Sequence, residues 1–299
     1  MAESPDSLDS LFRDAVAAID GGDVAAVERL IAEHPRLVHE RLEAPGAWLR
    51  DQVGRALDDF FERPYLLWFV AEDPVRRGAL PRNIAAVAQA IIGAAERSEV
   101  ASLQEQLDYA LRLVSWSWIA RECGVQIELI DTLIDAGASP DGNPDNALVN
   151  YNVAAAEHLV ARGGALTLAT ALCLGRWDNV ARLAPAAEAR ERQFGLVLAA
   201  LNGQAEALRR MLAIGVDVNR PSASLYSHAT PVHHAVCSGS LESVRVLVEA
   251  GASLGTKDTA WSATPLGWAE YYAGEQREEA RREVYAAIAA YLRERGAVA

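Results

Sequence analysis

The segment TPVHHAVCSGSLESVRVLVEAGASLGTKD, from Thr230 to Asp258, holds two short apolar stripes, each closed by a glycine. Thr230 can cap a first helix with Pro231 in its opening position, where a missing N–H costs nothing. Val232, Ala235 and Val236 then recur at helical spacing before Gly239, which supplies a left-handed stop. Ser240 can cap a second helix whose Leu241, Val244, Leu247 and Val248 share one face, and Gly251 ends it. Two helices joined by so short a reversal must lie antiparallel. Neither can bury its stripe alone, so the unit must repeat. It does. A shift of 36 residues carries Gly239, Val244, Leu247, Val248 and Gly251 onto Gly203, Leu208, Met211, Leu212 and Gly215. A shift of 114 reaches Ile127, Ile130, Leu133, Ile134 and Gly137, and one of 217 reaches Gly22, Val24, Val27, Leu30 and Ile31. Weaker copies stand at Ile91-Ile92, at Leu159-Val160 before Gly163, at Val180 and Leu183 after Gly175, and at Ile288 and Leu292 before Gly296. The pattern predicts an all-α solenoid of about eight helix pairs. One core column runs through Leu30, Ile91, Leu133, Leu159, Leu183, Met211, Leu247 and Leu292.

TPVHHA (Thr230 to Ala235) and TPLGWA (Thr264 to Ala269) resemble the T-P-L-H-x-A opening of the ankyrin repeat, with Val232 and Gly267 as departures. EAGASLGTKD and AIGVDVNR resemble the link from one such repeat to the next hairpin. The likeness is specific over 196–270, fair over 9–35 and 125–140, and inferential elsewhere. It implies one elongated domain: a first repeat at 9–35, an insert at 36–62, degenerate repeats over 63–195, regular repeats over 196–270 and a capping helix over 271–299. Spacings near 24–28 in the column from 133 to 211 are too short for full hairpins, and tight turns replace them there.

A chain of 299 residues with 51% hydrophobic content can bury a large core. Its net charge is −13, with basic residues scattered and nearly all arginine, Lys257 being the single lysine. Nucleic acid and anionic membrane both need a basic footprint, so neither is the expected partner. Cys123, Cys173 and Cys237 form no C-x-x-C, and an odd number favours reduced thiols in a cytosol. MAESPDSLDS lacks the apolar core of a secretory signal, and no apolar run reaches the ~18 residues of a spanning helix. A cytoplasmic location follows as the expectation, and the Arg- and Ala-rich usage points to a GC-rich bacterial genome.

Residues 36–62 break the repeat and carry their own apolar set, Leu42, Trp48, Leu49, Val53, Leu57, Phe60 and Phe61. They read as an inserted helix packed back on the repeats. Trp68 falls in the slot of the small Ala235, with the insert as its lid. A long first helix then presents Tyr109, Trp116 and Trp118. The two tryptophans are two apart and cannot share a face, so one is core and the other faces a groove or loop. Trp68, Trp116 and Trp118 therefore pose two alternatives, packing or an aromatic-lined pocket for a small molecule or substrate. In the last helix, Ala280, Val284, Ile288 and Tyr291 are expected to face inward.

Gly251 to Gly255 matches G-x-S-x-G, but it follows a helix instead of a strand-to-helix elbow. His228, His233 and His234 bring no further ligand at metal-site spacing, and adjacent residues 233 and 234 point apart on a helix. No catalytic residue, metal site or cofactor is assigned. By resemblance, His233 hydrogen-bonds within its repeat, and partners meet the hairpin tips and the exposed ends of the first helices. The tips NRPSASLYSHA and KDTAWSA then set Arg220, Tyr226 and His228 beside Lys257, Asp258 and Trp261, with His234, Tyr271 and Tyr272 extending the region. The alternative is that Tyr226 and Trp261 simply pack on each other. The expected function is a non-catalytic protein-binding module, a monomer with self-association left open. The competing reading is an enzyme or small-molecule binder.

Overall fold

Apolar stripes at helical spacing become antiparallel helix pairs wherever a glycine can turn the chain. Gly203 shows why the turn needs that residue: its φ is 67°, and a Cβ there would come within 2.9 Å of the Ser240 Cβ. The structure, a computed structural model, describes residues 7–298. The first six residues of the stretch read as no secretory signal lie outside the described residues. Among the described residues there are eighteen α-helices, two 3-10 helices and no strand. No helix among them is long and apolar enough to cross a membrane. The chain divides into two compact units, one ending at Ala165 and one beginning at Leu166.

In the first unit the pairs are Leu8–Gly21 with Val24–Glu33, the 3-10 helix Leu66–Ala71 with Ile84–Arg97, Leu103–Trp116 with Gln126–Asp135, and Asn143–Val149 with Val153–Ala161. In the second they are Leu168–Cys173 with Trp177–Leu183, Ala189–Leu201 with Ala205–Ala213, Pro231–Cys237 with Leu241–Glu249, and Pro265–Glu275 with Glu279–Glu294. Eight pairs are present, as the repeat predicts. Six members of the core column are buried: Ile91, Leu133, Leu159, Met211, Leu247 and Leu292. Leu30 and Leu183 are only half-buried. The inward stripe is carried instead by the i, i+4 pairs Val27/Ile31 and Val180/Ala184, Ala184 being the residue that caps its helix.

Three expectations are corrected. The insert is not one helix: it holds the helices Arg36–His39 and Ala47–Val53 and the 3-10 helix Gly54–Asp58. The α-helix stops at Gly54, whose φ of 51° and ψ of −123° are not α-helical. The segment does pack back, through Leu42, Leu49 and Phe61, all buried, and through Trp48, whose indole N–H donates to Asp9 Oδ1 at 2.8 Å. Phe60, by contrast, is exposed. Second, the long helix breaks at Ser117, whose hydroxyl caps the helix Trp118–Glu122 by accepting from the Ala120 N–H. Neither tryptophan is core, Trp116 being half-buried and Trp118 exposed. Third, Ala280 and Val284 are exposed, and the last helix buries Ile288, Ala289, Tyr291 and Leu292. At 16 residues it is longer than its 9-residue neighbour Leu241–Glu249, so its first turns have less to pack on.

A buried ion pair lies inside the first unit. Glu72 Oε1 accepts the backbone N–H groups of Arg76 and Gly78 at 2.9 Å each, and that of Arg77. Its Oε2 lies 2.9 Å from Arg76 Nη2, and Arg76 Nη1 lies 3.0 Å from Asp20 Oδ1. Burial pushes the Asp20 carboxyl up, and the nearby Arg76 and Arg77 partly offset this.

Candidate functional site

Thr230 opens the helix Pro231–Cys237 with a reciprocal cap, its hydroxyl serving the His233 backbone while the His233 ring serves the Thr230 N–H. The His233 ring also sits 2.8 Å from Thr230 Oγ1 through Nδ1. Its Nε2 reaches the Ala263 carbonyl at 3.2 Å, in the tip of the next repeat. The Thr259 N–H donates to the His228 carbonyl at 2.9 Å. Adjacent tips are thus joined by backbone and by an imidazole.

Asp258 fixes the second tip. Its carboxylate accepts from the N–H groups of Ala260 at 2.8 Å, Trp261 at 2.6 Å and Ala263 at 3.0 Å, and from the indole N–H of Trp268 at 3.0 Å. Burial alone would raise this carboxyl, but the hydrogen bonds from Trp261, Trp268, Ala263 and Ala260 outweigh it and hold it at about 2. Above Asp258 the rings form a connected cluster. The His228 ring lies 5.1 Å from Trp261 and 6.1 Å from both Tyr226 and Trp268, and Trp261 lies 5.6 Å from Trp268. Trp268 meets Tyr272 at 6.3 Å, and Tyr272 meets Tyr271 at 5.7 Å. The Tyr272 hydroxyl lies 3.2 Å from Cys237 Sγ, and burial pushes its phenol up.

The expected residues divide by depth. Trp261 is 68% exposed, Tyr271 64% and Tyr226 40%, while His228 and Tyr272 are half-buried. Asp258 and His234, expected on the binding surface, are instead buried at 3% and 2% beneath it. A carboxylate with four inward donors cannot also face solvent, and His234 sits under Tyr226 and Trp268 at 6.0 and 6.4 Å. Burial lowers the His234 imidazole to about 4, with His228 and His233 adding to the effect. The Arg220 side chain is exposed and outside the ring cluster, while its carbonyl accepts from Gln193 at 2.6 Å. Tyr226 and Trp261 are joined through His228. Trp268 was missed, although it stands in the repeat position of His234 in the preceding repeat.

The other aromatic set is not gathered into one place. Trp68 is buried against Phe61, Tyr65 and Tyr109, with the Arg41 guanidinium 5.3 Å over its ring. The Trp116 carbonyl accepts from the Asn150 amide, and no ring contact among the described residues links Trp116 or Trp118 to Trp68. The insert does form a cleft of about 420 Å³, but Glu43, Pro45, Arg50, Leu57, Asp58, Glu62 and Arg63 line it, not aromatic rings.

Residues 118–258 match the family model described as ankyrin repeats, in three copies. That segment carries ankyrin repeats. The matched ankyrin segment ends at Asp258, the residue that anchors the second tip. A crystal structure of the human ASB11 ankyrin repeat domain covers 92% of the chain, and 96% of that domain is covered in return, at 13% identity and a TM-score of 0.37. No curated protein matches the chain. Ankyrin repeats are in general protein–protein interaction modules.

Proposed function

We propose that this protein is a non-catalytic binding module whose partner protein meets the two adjacent tips and the neighbouring first helix, with Trp261, Tyr226 and Tyr271 as anchors. One observation carries the reading: large aromatic rings stay exposed on a cluster whose base is held rigid by a buried, fully bonded carboxylate. Rigid aromatics lose little entropy on binding and are the residues in which interface energy concentrates. Replacing Trp261 or Tyr271 by Ala is expected to weaken capture of the partner by about 1–2 kcal/mol each. Both side chains are mostly exposed, so melting should be unchanged. Pull-down from a native lysate, followed by titration of the captured protein against each variant, makes the comparison. Undiminished capture by both variants would remove the tips from the interface.

A further inference from the structure

We propose that the tip cluster takes an arginine side chain from its partner, the guanidinium lying on the free face of Trp261. This rests on the tip reading above and names the chemistry it accepts. Six aromatic rings outside the tips lie under the protein's own cations. Arg41 lies over Tyr65 and Trp68, Arg76 over Phe69, Arg112 over Tyr109, Arg210 over Trp177, and both Arg245 and Arg295 over Tyr291. Among the described residues no cation lies over Tyr226, Trp261, Trp268, Tyr271 or Tyr272, although this set includes the two most exposed aromatic rings. The face of each ring carries negative charge density that attracts a cation, most strongly on an indole.

A second observation has the same sign. The four donors around Asp258 are neutral N–H groups, two of them from Trp261 and Trp268 themselves. Its negative charge is therefore held against the Trp268 indole and the Trp261 backbone, with no cation paired to it among the described residues. The chain as a whole carries −13, which favours approach of a basic segment over an acidic one. A guanidinium suits the place better than an ammonium. It is planar, more weakly hydrated, and can stack on an indole while its edge still donates hydrogen bonds.

The probes are three short peptides of identical Gly- and Ser-flanked sequence whose central residue is arginine, lysine or citrulline, titrated into the full chain. Indole N–H chemical shifts report the binding. Citrulline keeps the shape of arginine and removes its charge. The arginine peptide is expected to bind about tenfold more tightly than the citrulline peptide, with lysine between them, and to weaken as salt is raised. Trp261→Leu keeps an apolar side chain at an exposed position, so it should leave melting unchanged and abolish the preference. Equal affinity for arginine and citrulline, a preference that survives Trp261→Leu, tighter binding of lysine, or no arginine binding at millimolar concentration would each overturn the assignment. Partner capture decides the surface separately. If it still depends on Trp261 when the peptides fail, only the guanidinium is lost.

Discussion

Replacing Glu72 by Ala is expected to destabilise the unit that ends at Ala165 by about 3–5 kcal/mol. The Glu72 and Arg76 side chains are 0% and 1% exposed, so neither charge has water to fall back on. Removing the carboxylate leaves the Arg76 guanidinium with Asp20 and the Phe69 carbonyl, while the N–H groups of Arg76, Arg77 and Gly78 lose their acceptor. A buried guanidinium that loses its carboxylate costs more than an exposed ion pair does, because water cannot replace the partner. Glu72→Gln separates the two contributions. It keeps an amide oxygen for the three N–H groups and removes the charge facing Arg76, so its loss should fall between wild type and Glu72→Ala. Urea unfolding read by pulsed hydrogen exchange over Leu8–Gly21 and Ile84–Arg97 confines the measurement to this unit. A loss below about 1 kcal/mol for Glu72→Ala would mean that the pair behaves as though solvated.

That network also marks where the sequence stops being readable. Helix pairs are local objects: a cap, a periodic stripe and a glycine lie within one repeat, as Thr230 to Gly239 shows, and their order in the chain is their order in the fold. EDPVRRG has no period. Its meaning depends on Asp20, 56 residues before Arg76, and a contact at that distance leaves no spacing to detect. The tips lie between these cases. Exposure of Trp261 and Tyr226 could be expected from their place in a link between repeats. The inward turn of Asp258 could not, because an aspartate in a polar loop looks the same whether it meets solvent or four N–H groups. Trp268 had a usable signal, being the counterpart of His234 one repeat later. The contact between those two rings arises from stacking of neighbouring repeats, which a repeat pattern implies but does not spell out.

The unit that begins at Leu166 should lose about 3 kcal/mol of stability as pH falls from 6.5 to 4, with His234 the main cause. The His234 imidazole is lowered from 6.5 to about 4 in the folded chain, first by burial and then by His228 and His233. Between those two values the unfolded chain binds a proton that the folded chain excludes, so acid favours unfolding. Stability from this residue is complete above 6.5, falls through the window and is lost at about 4. His233 is lowered too, again mainly by burial, and pulls the same way. Asp258, at about 2 against an ordinary 3.8, adds acid sensitivity only below the window. In the other unit Asp73 has the opposite effect. Burial and the charge of Glu72 raise it to about 6, so its protonation relieves strain as pH falls from that value. A whole-molecule melting curve would mix these opposed slopes, and exchange confined to Pro231–Cys237 and Leu241–Glu249 avoids the mixture. His234→Leu is the informative variant, because Leu198 stands at the same position one repeat earlier and is fully buried there. Its stability should stay nearly level between pH 6.5 and 4 apart from the smaller slope due to His233. Equal slopes in wild type and variant would show that His234 does not take up its proton on unfolding, and would place the acid sensitivity elsewhere in the unit.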